Sequence, residues 1–295
     1  MTASAPIGAD PTAELDVVSG IELGRRAYRR KQTGKSVVIA LLSTLIFAAV
    51  IALILRNSPG WQVTRETFFA PEHFRASLPK VLAALWLNVK VLFFAVIGVA
   101  IFATLLAFLR TLRGPVFFPL RFVAAAYTDL FRGVPFLIVL YLVGFGVPAL
   151  GLTDSVIPYS VLGTIALVLT YSSYVAEVLR AGLEAVHPSQ RFAARSLGLS
   201  HGQALRLIVL PQAVRKVTPA LMNDFVSMQK DVGLISVLGA VDAIRAAQIY
   251  QATTYNFTSY VVAGLLFVCL SWPFIRLTDW YTARQQRREQ VGGVV

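Results

Sequence analysis

The side chains best suited to chemistry form two doublets, Asn223-Asp224 and Lys230-Asp231, in and just beyond a weakly apolar stretch. Asp129 and Arg132, three residues apart, stand just before Gly133 and Pro135, and Glu177 stands near Arg180 and Arg206. Groups of these types bind polar solutes or pair with one another. They do not supply a nucleophile, a base and a third group to orient it, so no enzyme active site is expected. His73, His187 and His201 lack ligand spacing, and no metal is expected. The single cysteine, Cys269, sits in an apolar run and is expected to be a small buried residue, with no internal disulfide and no thiolate metal site. Gly34-Lys35-Ser36 resembles the end of a phosphate-binding loop. The glycine required five residues earlier is Arg29, and no strand precedes it. Nucleotide binding by this chain is not expected.

The elements that position these residues lie in a bilayer. The sequence of 295 residues is 56% hydrophobic and only 14% charged, with a mean hydropathy of +0.67. Soluble domains carry about 25% charge. The formal net charge of +12 does not point to nucleic acid, because the basic residues are scattered between apolar spans. Runs of about 20 apolar residues are long enough to cross a bilayer. Five qualify, at 37–55, 84–109, 133–150, 157–179 and 257–278. A sixth, 209–229, contains Arg215, Lys216, Asn223 and Asp224, and should face protein or a cavity. The first run is not expected to be a signal peptide: 36 residues precede it and no small-residue cleavage site follows. Residues 1–20 read as a disordered polar tail.

Orientation follows from Lys and Arg. With the N-terminus inside, the inner segments 25–36, 110–121, 180–216 and 276–295 hold 19, and the outer segments 56–80, 149–156 and 230–256 hold six. The positive-inside rule therefore places both termini in the cytoplasm.

That orientation also puts "PSQRFAARSLGLSHGQALRLIVLPQAV", 188–214, in the cytoplasm. It is a polar, basic, helix-prone passage between apolar runs. Pro188 ends the preceding helix, and Ser189 is suited to cap a new one. Over 190–197, Ala193, Ala194 and Leu197 share one face and Arg191 and Arg195 another. Gly198 suits the left-handed stop. Ser200 with Gln203 reads as a capping box, and Pro211 should bend the chain as it re-enters the bilayer. The result is a short helix between two long ones, presenting small residues outward. Two readings fit it: a docking element for another surface, or an amphipathic helix resting at the lipid interface.

"AARSLGLS" followed by "IVLPQA" resembles the coupling loop of ABC importer permeases. The wider stretch 174–242 and "YTDLFRGVPFLIVL", 127–140, resemble the polar-amino-acid subfamily, and the likeness covers roughly 81–280. The resemblance implies that the short helix docks in a groove on a separate cytoplasmic ATPase. Closure of two ATPases around ATP then switches the spans between inward-facing and outward-facing arrangements. It assigns the coupling loop to Phe192, Ala193, Ala194, Arg195, Gly198, Leu210 and Pro211, with Ala193, Ala194 and Gly198 as small docking residues. The family usually has Glu where this chain has Phe192. With Ser189 as cap, that is the position at which Glu would close a capping box.

Asn223, Asp224, Lys230 and Asp231 become candidates for the substrate pathway. The family's Lys-Asp-Thr-Ser-Leu pattern reads here with Val232 and Gly233, two hydroxyls fewer. For Lys230 the competing reading is an ion-pair lock. Asp129 and Arg132 are expected to pair and fix a helix break, and Glu177 to hold the coupling loop in place.

The expected fold is an all-α polytopic transmembrane bundle of about six spans, a five-span permease core plus one N-terminal span, with a cytoplasmic coupling helix. A basic tail spans 1–36, the extra span and an outer loop 37–80, the permease domain 81–280 and a C-terminal tail 281–295. The basic cluster in the first tail would suit anionic lipid headgroups. The resemblance implies no cofactor in this chain, with ATP and Mg held by partner ATPases. It also implies a second permease subunit, like or unlike, and an extracytoplasmic amino-acid-binding protein that meets 56–80 and 231–256. The site is the plasma or inner membrane. An ion-gradient-driven secondary transporter of small polar solutes is the alternative; it would show inverted repeats, and no clear repeat is present.

Overall fold

The computed structural model describes the backbone of residues 20–112, 114–151 and 157–292, and side chains within 35–287 of these. The polar tail expected at 1–20 lies outside them but for Gly20. Among the described residues every regular element is helical. The chain divides into two compact units, Met1–Thr64 and Arg65–Val295.

The first unit is dominated by α1, Gly20–Asn57. Helix therefore begins inside the expected basic tail and runs unbroken into the apolar segment. Gly34-Lys35-Ser36 lies mid-helix, where no phosphate-cradling loop exists. Every described α1 side chain is exposed within the chain. Helix α2, Trp61–Phe68, closes this unit and opens the next.

The second unit is built on α3, Pro71–Thr111, and α7, Tyr159–Glu184. Their seam holds Val91, Ala95, Val99, Ala103 and Leu106 against Leu167, Tyr171 and Ala176. Inside a bilayer the tails are as apolar as leucine, so close packing rather than escape from water holds such helices together. Gly98 supplies the closest approach: a Cβ there would lie 2.6 Å from Val168 Cγ2.

The expected outer loop at 56–80 is corrected by this structure. Most of it is α2 and the first turns of α3, with Ser77 fully buried. Pro71 sits in the first turn of α3, where its missing N–H is no loss. The segment is tied to the far end of the chain. Phe257 N–H donates to the Thr67 carbonyl at 2.8 Å, Asn256 Nδ2 to that of Glu66 at 2.8 Å, and Ala70 N–H to Thr258 Oγ1 at 3.1 Å. His73 Nδ1 lies 2.9 Å from the Tyr250 hydroxyl.

The expected span at 133–150 begins at a helix break, where the sequence places one beside Asp129 and Arg132. Helix α4, Phe118–Gly133, meets α5, Phe136–Tyr141, at a 106° bend, and a π turn at Leu142–Gly146 leads to α6, Val147–Ala149. Pro135 holds Val134 extended at φ −100°, ψ 129°, which stops the helix despite the apolar sequence.

Past α7 come α8, Pro188–Ser196, and α9, His201–Ala204. A π turn, Leu205–Val209, then leads into α10, Leu210–Asp231. Pro211 has no N–H to continue an α-helical ladder, and the wider turn just before it absorbs the misfit. A 3-10 segment, Val232–Leu238, precedes α11, Ala243–Thr254. Helix α12, Thr258–Gly292, is longer than expected and takes in most of the supposed C-terminal tail. Cys269 on it is exposed, not buried, because α12 packs along only part of its circumference.

Among the described residues four helices are long and apolar enough to cross a membrane, and up to six spans result if each of two bent pairs is one span. The second pair is His201–Leu238 with Ala243–Thr254, bent by 48°.

Candidate functional site

The connection between α7 and α10 is built from local signals. Pro188 occupies the first turn of α8, and His187, not Ser189, is the cap: its Nδ1 accepts from Ser189 N–H at 3.2 Å. This corrects the expected cap by two positions. Phe192 is then two residues beyond the capping-box site, so its side chain closes no box and leaves none open. At the other end Leu199 N–H donates to the Ala194 carbonyl and Gly198 N–H to that of Arg195, with Gly198 at φ +85°. This pair of bonds is a Schellman stop, in which an L side chain would be strained. Ser200 and Gln203 form the capping box the sequence signals.

The outward face differs from expectation. Ala194 is 3% exposed and turned to the bundle, while Ala193 is exposed beside Phe192 at 69% and Leu197 at 82%. Two large apolar groups, not a strip of small ones, therefore face out, and Arg195 is exposed among them. Leu210 and Pro211 are exposed at the start of α10. Two cations hold the connection down by capping the end of α7. Arg191 Nη2 donates to the Leu183 carbonyl at 2.8 Å, and Lys216 Nζ to that of Ala185 at 2.6 Å.

Glu177 does other work than expected. It accepts from Arg180 at 2.6 Å and from Arg110 at 2.7 Å, and Arg132 stands 3.9 Å away. Arg110 also donates to Thr128 Oγ1. The carboxylate thus joins α3, α4 and α7, and Arg206 is not among its partners. The expected Asp129–Arg132 pair is absent: among the described residues Asp129 has no ion pair, because Arg132 turns to the Glu177 carboxylate on α7.

The candidates on α10 do not converge as one cluster. Asn223 and Lys230 are exposed, and among the described residues Lys230 forms no ion pair, so the competing lock reading finds no partner within them. Asp231 accepts from the Tyr171 hydroxyl at 2.8 Å. Asp224 is half-buried, and its Oδ2 has no hydrogen-bond partner. Unpartnered buried hydroxyls on Thr170 and Ser172 of α7 add to the polar character of these helices. Such groups bind polar solutes or water; no group of three or more His, Cys, Asp or Glu among the described residues is placed to hold a metal.

One buried hub was missed. Asn88 Nδ2 donates to Asp242 Oδ2 at 2.9 Å, and Asn88 Oδ1 accepts from Ala243 N–H at 3.0 Å. Asp242 caps α11 through Arg245 N–H. The signal was present: Asn88 is a polar residue within an apolar run, which membrane depth makes noteworthy.

With this geometry in view, the comparisons with known proteins are specific. The family profile described as binding-protein-dependent transport system inner membrane component matches residues 114–288. The chain is 32% identical over 202 residues to the arginine transport system permease protein ArtQ of Bacillus subtilis, covering 67% of this chain and 90% of that protein. It is 32% identical over 179 residues to the probable glutamine ABC transporter permease protein GlnM of the same organism, covering 60% of this chain and 78% of that protein. A crystal structure of an amino acid ABC transporter with histidines superposes with a TM-score of 0.64 at 34% identity, over 70% of this chain and 94% of that one.

Proposed function

The chain belongs to the family of binding-protein-dependent transport system inner membrane components, and from that premise we propose that it carries a polar amino acid into the cytoplasm, driven through α8 by a separate ATPase. It is a permease subunit of the ATP-driven importer class, and the ion-gradient carrier is set aside. The relatives named above are permeases for arginine and glutamine, which share a polar side chain and an α-amino acid head. That common chemistry is the proposed cargo class.

The observation that carries the mechanism is the exposed edge of α8. Phe192, Ala193 and Leu197 are set on a helix stopped rigidly by Gly198 and tied to α7 by Arg191. A load on this edge moves the ends of α7 and α10 together, because Arg191 and Lys216 bridge them. We assign the coupling loop to Phe192, Ala193, Ala194, Arg195, Gly198, Leu210 and Pro211, with Ala194 as the inward pivot. In this reading α8 is cytoplasmic, both termini are cytoplasmic, and ATP with Mg is bound by the partner. A second permease subunit completes the pathway, and an extracytoplasmic binding protein delivers the cargo. Asn223, Asp224, Lys230 and Asp231 are proposed to line the path, with Asp224 the strongest candidate because its buried carboxylate oxygen lacks a partner.

Gly198→Val tests the coupling. A β-branched residue at this φ costs about 1–2 kcal/mol, enough to shift a local equilibrium roughly 5- to 30-fold. In vesicles containing permease, ATPase and binding protein, ATP hydrolysis should continue while uptake falls by about that factor. Wild-type uptake by this variant would overturn the assignment.

A further inference from the structure

Beside the coupling helix lies a cleft of about 110 Å³ to which the importer reading gives no ligand, although Arg191 and Arg195 on its wall belong to the coupling connection. It is lined by Arg191, Arg195 and His201, with Leu183, Leu205 and Val209 as its apolar wall. No carboxylate lines it among the described residues. Arg191 and Arg195 are one helical turn apart on α8, and like charges so placed repel. Arg191 spends one N–H on the Leu183 carbonyl, but its Nε is buried with no hydrogen-bond partner. Leaving a buried donor unmade costs about 1–3 kcal/mol. An anion in the cleft relieves the repulsion between the two guanidiniums.

We propose that this cleft is a phosphate-binding site, taking the phosphate of a phospholipid headgroup or free phosphate. Planar guanidiniums match the oxygens of a phosphate in paired hydrogen bonds. The volume sets the class of ligand: it is well below the roughly 300–1,000 Å³ of pockets that enclose whole drug-sized molecules. A single phosphate group is therefore the ligand, and a nucleotide is not. The surroundings favour the lipid. Leu205 is exposed at the rim, and Leu207 is exposed two residues further along the chain leading into α10. Acyl chains would cover these while the headgroup enters the basic cleft. Such a ligand would clamp α8 to the end of α7, across the part of the chain proposed to transmit force.

The test uses the purified full chain and reads binding, not transport, so its failure leaves the importer reading untouched. In one arm, radiolabelled inorganic phosphate is titrated in detergent at constant ionic strength. In the other, the chain is extracted from vesicles of equal phosphatidylglycerol and phosphatidylcholine, and retained lipid is measured by native mass spectrometry. Arg191→Gln and Arg195→Gln are compared with wild type. The Arg195 side chain makes no hydrogen bond or ion pair among the described residues, so its variant isolates the anion contact from the tie to Leu183. Saturable phosphate binding weakened about tenfold by each variant, as loss of one charged contact predicts, identifies free phosphate. Selective retention of phosphatidylglycerol that both variants abolish identifies the lipid. Absence of both signals, or signals indifferent to Arg195→Gln, overturns the proposal.

Discussion

At Glu177 one carboxylate faces three guanidiniums from three helices, those of Arg110, Arg132 and Arg180. Its side chain is 21% exposed, so it lies between a surface pair, worth about 0–1 kcal/mol, and a buried one, whose breakage costs about 3–5 kcal/mol. Glu177→Gln keeps the shape and removes the charge that balances the cluster. It should lower stability by roughly 1–3 kcal/mol, read as an earlier thermal unfolding transition in detergent. An unchanged transition would mean that the cluster does not join α3, α4 and α7. None of this was legible in the sequence beyond the i,i+3 neighbour Arg180. Arg110 lies 67 residues away, and only packing brings it in. Gly198 and the Ser200–Gln203 box were legible, because their signals act within four residues. The cap at His187 is where the sequence reading, which assigns Ser189, fails; Pro188 carries the signal, since proline favours the first helical position and marks its predecessor as the cap.

Among the elements, α3 and α7 form the frame on which the others hang, and Gly98 permits their close approach at Val168. Gly98→Leu would force the helices apart, and overpacking of this kind typically costs about 1–3 kcal/mol. The expected result is a lower unfolding temperature, with partial rescue by Val168→Ala on the facing helix. Failure of that second change to rescue would place the strain elsewhere. Element existence was readable from apolar runs, since membrane depth imposes a length. Element shape was readable only in part: Gly133 and Pro135 mark the break, but not the 106° by which the fold turns there. The inward turn of Ala194 was hidden for a related reason: over two helical turns, small residues do not say which side faces the bundle.

For the molecule as a whole, an excess of Lys and Arg in alternate connections sets the proposed orientation, and the family sets the role. The chain is a permease subunit, and in the proposed reading α8 is its lever and a separate partner supplies the motor. The central claim is that the exposed edge of α8 meets that partner, and a cross-link tests it most directly. With Cys269→Ser as background, Ala193→Cys is placed on the exposed edge and a thiol-reactive cross-linker is added to membranes holding the assembled importer. The account predicts a covalent permease–ATPase product, and modification of the residue by an impermeant reagent only in inside-out vesicles. Modification from the extracytoplasmic side of sealed cells, with no ATPase product, would contradict it.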